Sequence, residues 1–250
     1  MPHLFVNRPR VYDLLANEPQ QVRKRYRWEA LNAFLYKLGG LLFIVGSILF
    51  FPALAAWANL GAWTFFAGSI LYLVVTAHDL AEVVQDWRSD IGPHTIWERF
   101  EFWAASVYLV GTLLFLVGSI FFLSWVDWEI AGAWCFVVGS LLFVLGASIN
   151  VLQITRATEL VTLQLMNLTA VTFVTGSVLF TVASIPYLWQ VENAADQRLI
   201  DGFLAWQYLV GSALFLLGGI FNSWRAYVVV RRELEQRRRM HHGAAPEVAG

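Results

Sequence analysis

The sequence predicts an all-α membrane protein of six transmembrane helices, arranged as three parallel-oriented helical hairpin repeats in a pseudo-threefold bundle. Three observations carry this expectation: long stretches hold no charge, basic residues sort by segment, and one aromatic-glycine-serine pattern recurs along the chain. Of 250 residues, 58% are hydrophobic and only 14% charged, whereas soluble domains hold about 25% charged residues. A membrane solvent accounts for that balance.

The runs Leu38 to Phe51 and Ile130 to Ile149 contain no Asp, Glu, Lys or Arg. With their flanks they reach the roughly 20 residues that cross hydrocarbon. Lipid offers backbone groups no partner, so such runs must be helices or strands of a closed barrel. Unbroken apolarity, without alternation, selects helices. Spans are expected near 31–52, 58–83, 102–124, 130–153, 163–187 and 203–229. The polar opening segment lacks an apolar core, so no cleavable signal peptide is expected and the first helix serves as its own insertion signal.

Basic residues give the orientation. Arg8, Arg10, Arg23, Lys24, Arg25 and Arg27 precede the first span, and Arg231, Arg232, Arg237, Arg238 and Arg239 follow the last. The positive-inside rule therefore places both termini in the cytoplasm of a bacterial plasma (inner) membrane. Arg88, Arg99 and Arg156 fall in linkers on that same side. The opposite loops carry Asp127, Glu129, Glu192, Asp196 and Asp201 against Arg198 alone. Tryptophans near the predicted ends, such as Trp57, Trp125, Trp128 and Trp189, read as interfacial anchors.

The repeat defines the units. One set of helices shares Phe-x-x-Gly-Ser-x-x-Phe, at Phe43, Gly46 and Phe50, at Phe115, Gly118 and Phe122, and at Phe173, Gly176 and Phe180. The alternate helices share Trp-x-aromatic-x-x-Gly-Ser-x-Leu-aromatic around Gly68, Gly139 and Gly211. This divides the chain into a tail (1–27), hairpins at 28–87, 98–155 and 157–230, and a basic tail (231–250). Small residues recur every seven positions, as at Gly39 and Gly46, Gly111 and Gly118, and Thr169 and Gly176. That spacing keeps them on one seam and favours left-handed crossings, so Gly46, Gly68, Gly118, Gly139, Gly176 and Gly211 are the expected packing sites.

The paired Gly-Ser helices with flanking aromatics resemble the YrhK-like domain family, best over residues 28–84 and 100–153. The resemblance implies a two-helix hairpin fold and a membrane location, and supplies no chemistry. The third hairpin departs from the pattern, with Thr169 where the others have Gly39 and Gly111.

Two groups of residues stand out as candidate sites. Glutamates precede the first set of glycines by a constant interval (Glu29, Glu101, Glu159), and Asp79, Asn150 and Asn222 follow the second set by another. Together they predict a polar layer on the cytoplasmic side, open to a cation or a partner, or simply meeting water at the helix ends. Lys37 lies two turns into the first span, where the other copies have Leu109 and Asn167. It either pairs with Asp79 or Glu82, the former making an intramembrane ion pair, or snorkels to the headgroups. His78 beside Asp79 reads as interfacial polarity rather than a relay.

No enzymatic template fits. His-Glu-x-x-His, Gly-x-Ser-x-Gly, a phosphate loop and a cysteine pair are all missing, so no catalytic residue, metal or cofactor is expected. Cys135 is the single cysteine and reads as a small packing residue. The expected function is non-enzymatic: a scaffold or accessory subunit acting by helix packing, with the lipid bilayer, other membrane proteins or further copies as partners, and no nucleic acid. The alternative is a small transporter or channel with a path along the pseudo-threefold axis.

Overall fold

A computed structural model describes residues 19–89, 95–152, 160–189 and 193–243. Six long helices make up the fold: α1 (Pro19–Leu49), α2 (Ala58–Ser89), α3 (Ile96–Phe121), α4 (Glu129–Leu152), α5 (Leu160–Ser184) and α6 (Ala194–Gly243). Each contains a stretch long and apolar enough to cross a membrane. Among the described residues there is no strand. The expected spans match these helices, except that α1, α2, α3 and α6 run past them into charged sequence, α6 as far as the basic tail. Propensity carries such extensions, since Arg, Glu and Gln are good helix formers with no membrane constraint to meet.

Local signals set the ends. Pro52 follows the last residues of α1 and opens a short 3-10 turn (Pro52–Trp57), and Pro186 does the same after α5 (Ile185–Leu188). A proline cannot continue the helix hydrogen-bond ladder, so both helices stop there. Thr95 and Glu98 form a capping box at the start of α3, each side chain accepting the other's backbone N–H. The tight link from α3 to α4 turns at Asp127, whose φ of 53° lies in the left-handed region that aspartate tolerates better than most residues. Asn59 and Ser124 clasp the first two hairpin turns together, through bonds of 2.8 and 2.9 Å.

Consecutive helices pack against each other, and α6 returns to pack on α1, so the six close into a ring. Aromatic side chains fill its centre. On α2, α4 and α6 the rings of Phe65, Phe136 and Tyr208 form a triangle with centroids 6.0, 6.1 and 6.3 Å apart. On α1, α3 and α5, Phe43, Phe115 and Phe180 form another, with centroids 6.4, 6.4 and 5.6 Å apart. Tyr72, Phe143 and Phe215 pack against this second set at 5.0, 5.0 and 5.2 Å. All nine rings are at most 2% exposed. This contact area and the offset ring geometry, about 0.5–1.5 kcal/mol per pair, hold the helices together.

Glycine makes room for the rings. A Cβ at Gly39 would lie 2.6 Å from Tyr72, and one at Gly68 would lie 2.9 Å from Phe43 and 3.1 Å from the Gly39 carbonyl. The two backbones thus face each other, each glycine roofed by the partner's aromatic. Gly111 with Phe143 and Gly139 with Phe115 repeat the arrangement, at 2.6 and 2.8 Å. Gly46 and Gly118 receive Phe65 and Phe136 in the same way.

The third pair corrects the expected alignment. Gly176 faces the Gly211 carbonyl at 3.0 Å and Phe215 at 3.1 Å, and Gly211 receives Phe180 at 2.7 Å. Gly176 therefore takes the place of Gly39 and Gly111, not that of Gly46 and Gly118, and Ala183 falls where those two stand. Ser184 agrees: its hydroxyl lies 2.8 Å from that of Tyr208, the α6 residue that matches Phe65 and Phe136. Thr169 is thus no substitute for a glycine, and α5 keeps the pattern one heptad later than its local motif suggests. A pattern with a seven-residue period overlays on itself after a seven-residue slip, which is why the motif alone misleads.

Candidate functional site

The polar layer divides when placed on the helices. Asp79, Asn150 and Asn222 each lie fourteen residues beyond Phe65, Phe136 and Tyr208, with Tyr72, Phe143 and Phe215 midway. Two heptads return to the same helix face, so these three residues continue the core-facing row, about 20 Å from the first triangle. Asp79 is 9% exposed and Asn150 2%, and Asn222 is half-buried. Asn150 Nδ2 donates to the Tyr108 hydroxyl at 2.9 Å, joining α4 to α3. Tyr108 also lies within electrostatic reach of Asp79, which brings α2 to the same cluster.

Of the three glutamates, only Glu101 has its side chain among the described residues. Glu101 is buried, seven residues before Tyr108 and so about 10 Å nearer the α2–α3 link. Glu29 lies within α1 with its side chain outside the described residues, and Glu159 lies outside them altogether. The register of α5 also changes the correspondence. Taking Ala183 as the reference, the residue matching Glu29 and Glu101 is the buried Met166, and the residue matching Lys37 and Leu109 is Val174 rather than Asn167.

Lys37 has its stem beside α6. Its Cγ lies 3.6 Å from the position of a Cβ on Gly219. Tyr36 lies between α2 and α6, stacking on Tyr72 with centroids 4.4 Å apart and coming within 2.6 Å of the position of a Cβ on Gly219. His78 meets α1 through Asn32, whose Nδ2 lies 3.1 Å from His78 Nδ1, and approaches Glu82 at 3.8 Å on its other nitrogen.

Two features of the cluster escaped the sequence reading. Tyr36 and Tyr108 stand one heptad before Phe43 and Phe115, and that interval could have marked them as core-facing. Arg225, one turn beyond Asn222, is 3% exposed. An arginine inside the sixth apolar stretch is costly enough to have been a signal by itself.

Residues 26–84 and 98–154 each match the sequence model of the YrhK-like protein family. The chain carries two YrhK-like domains. The first corresponds to the α1–α2 pair and the second to the α3–α4 pair, so Tyr36, Tyr72 and Asp79 belong to one YrhK-like unit, and Glu101, Tyr108 and Asn150 to the next. The α5–α6 pair lies beyond both matches. No curated protein and no solved structure matches the chain.

Proposed function

We propose that this protein is a non-enzymatic, multi-pass membrane scaffold or accessory subunit that acts through helix packing. Its three hairpins run parallel about a pseudo-threefold axis along the membrane normal, in a bacterial plasma membrane, with both termini cytoplasmic. The observation that supports this reading best is the filled centre. Two triangles of buried rings, and a third set packed on them, occupy the axis where a pore would have to run. The glycines serve those rings and are spent on close contact within the bundle. The outward faces carry exposed aliphatic and aromatic side chains, such as Val171, Leu145 and Phe203, suited to lipid or to neighbouring helices.

The buried polar row of Asp79 and Asn150 favours the second reading, a small transporter, because intramembrane polar residues commonly mark substrate paths. Against it, the row ends on the aromatic layers, and no proline lies inside α1 to α6 beyond the first residue of α1. Transport paths through helical repeats usually run between broken helices.

A photo-crosslinking residue placed in turn at Val171, Leu145 and Phe203 in living cells is expected to give discrete adducts with membrane proteins or with a second copy. Adducts with lipid alone at all three would contradict the scaffold reading. A reporter fused after Gly250 should be active in the cytoplasm, and periplasmic activity would overturn the orientation.

A further inference from the structure

We propose that the cytoplasmic half of the groove between α1 and α6 holds an anionic phospholipid, with the Lys37 ammonium on its headgroup phosphate. This site rests on the membrane location and orientation proposed above, and not on the scaffold role.

The first observation is where Lys37 stands. It lies seven residues inside the apolar stretch Ala30–Leu49, about 10 Å along the helix, with its stem beside Gly219 of α6. Side chains of a helix lean towards its N-terminus, so the stem points back along the groove towards the basic start of α1. Ala33 and Ala30 precede Lys37 on the same side of α1, and Ser223 and Tyr227 follow Gly219 on α6. Ala33, Lys37 and Ser223 are half-buried, while Ala30 and Tyr227 are exposed, so the groove opens in that direction. It closes the other way, where a Cβ on Gly40 would lie 3.3 Å from the Leu216 backbone. The buried ring of Tyr36, against Gly219, backs it.

Charge supplies the second observation. Lys37 is the only charged residue from Ala30 to Leu49, and from Leu204 to Val230 the only one is Arg225, itself 3% exposed. Neither wall of the groove thus carries an acid to meet the ammonium. The buried acids Asp79 and Glu101 stand on α2 and α3, and α2 packs on α1 from the other side. The cytoplasmic ends of the helices also differ in sign. Arg23, Lys24, Arg25 and Arg27 stand against Glu29 on α1, and five arginines against Glu233 and Glu235 at the end of α6. From Asp79 to Glu101 the balance reverses, with six acids against Arg88 and Arg99. The excess of positive charge therefore belongs to the two helices that form the groove, and basic segments at the cytoplasmic leaflet attract anionic lipids.

The chemistry selects a phospholipid. A cation part-way into hydrocarbon is costly unless it meets a counter-charge or reaches the headgroups. A lipid phosphodiester is both anionic and fixed at the interface, and lysine binds phosphate as a compact point charge. Tyr227, 51% exposed, adds an aromatic side chain of the kind that favours headgroup level. The other hairpins have Leu109 and Val174 in place of Lys37 and offer no such site.

The full chain, delipidated in mild detergent, is mixed with phosphatidylglycerol, phosphatidylcholine or inorganic phosphate. Bound lipid is read by native mass spectrometry and stability by thermal unfolding. Phosphatidylglycerol should stay bound under activation that strips phosphatidylcholine, and should raise the unfolding temperature where inorganic phosphate does not. Lys37→Met should weaken binding about five-fold, the worth of one basic residue at an anionic surface, and Lys37→Arg should keep it. Ala33→Leu fills the groove without touching charge and should also weaken binding, whereas Leu109→Met should not. Equal retention of phosphatidylcholine, or equal protection by inorganic phosphate, would overturn the site. Unchanged binding in Lys37→Met would overturn it too, leaving the basic ends as the source of lipid affinity. So would a loss of stability in Lys37→Met that Asp79→Asn restores with lipid binding unaltered, the mark of an ion pair. If Lys37→Met fails to fold, the headgroup preference of the wild type and the Ala33→Leu response decide the question. The reporter fused after Gly250 tests the orientation separately.

Discussion

A glycine in this bundle matters according to what its missing Cβ would meet. At Gly139 a methyl group would lie 3.0 Å from the Gly111 carbonyl and 2.8 Å from the Phe115 ring. A backbone carbonyl within a packed helix cannot give way as a side-chain tip can. At Gly202 the same methyl would meet only Pro52, at 3.8 Å, an ordinary contact. Alanine gains about 1 kcal/mol over glycine in a helix from propensity, whereas overpacking costs about 1–3 kcal/mol. The two substitutions should therefore part in sign: Gly139→Ala lowers the unfolding temperature in detergent, and Gly202→Ala leaves it unchanged or raises it. A matching loss at both sites would show that the close approach is not what glycine provides.

At the scale of the element, the six helices were legible because length and apolarity are properties of composition within a window. The seam was legible too, since Gly39, Gly46, Gly68, Gly111, Gly118 and Gly139 all meet partner rings. The register of α5 was not. Phe173-x-x-Gly176-Ser177 repeats the motif of α1 and α3, yet α5 places Phe180 and Ala183 where those helices place their first phenylalanine and second glycine. Only contacts with α6 distinguish the two alignments, and those are long-range. The polar layer was half legible for the same reason. Asp79, Asn150 and Asn222 follow a register that holds on α2, α4 and α6, while the glutamate trio depended on the α5 alignment that slipped. Lys37 shows a further limit, because spacing gives the depth of a side chain but not which neighbour it turns towards. The register can be tested directly. Phe180 is 0% exposed and meets Phe43 and Phe115, whereas Phe50, its partner in the local motif, is only partly buried. Phe180→Ala should cost about 3–5 kcal/mol, comparable to Phe43→Ala and well above Phe50→Ala. If Phe180→Ala is no worse than Phe50→Ala in reversible unfolding in detergent, the local motif was the better guide.

At the scale of the whole molecule, buried aromatic rings fill the centre of the helix ring. Soluble proteins use aromatic cores to exclude water; here the rings occupy the line along which a conducting protein would keep water. Phe65, Phe136 and Tyr208, at 0%, 2% and 1% exposure, leave that line without accessible surface at their level. The direct measurement is ion and small-solute flux into vesicles containing the purified full-length protein, loaded with a sodium-, potassium- or proton-sensitive dye. Flux at the level of empty vesicles, in both directions and with an imposed potential, is the expected result. Saturable, ion-selective flux that falls in Asp79→Asn would contradict a sealed scaffold and make the axis a path.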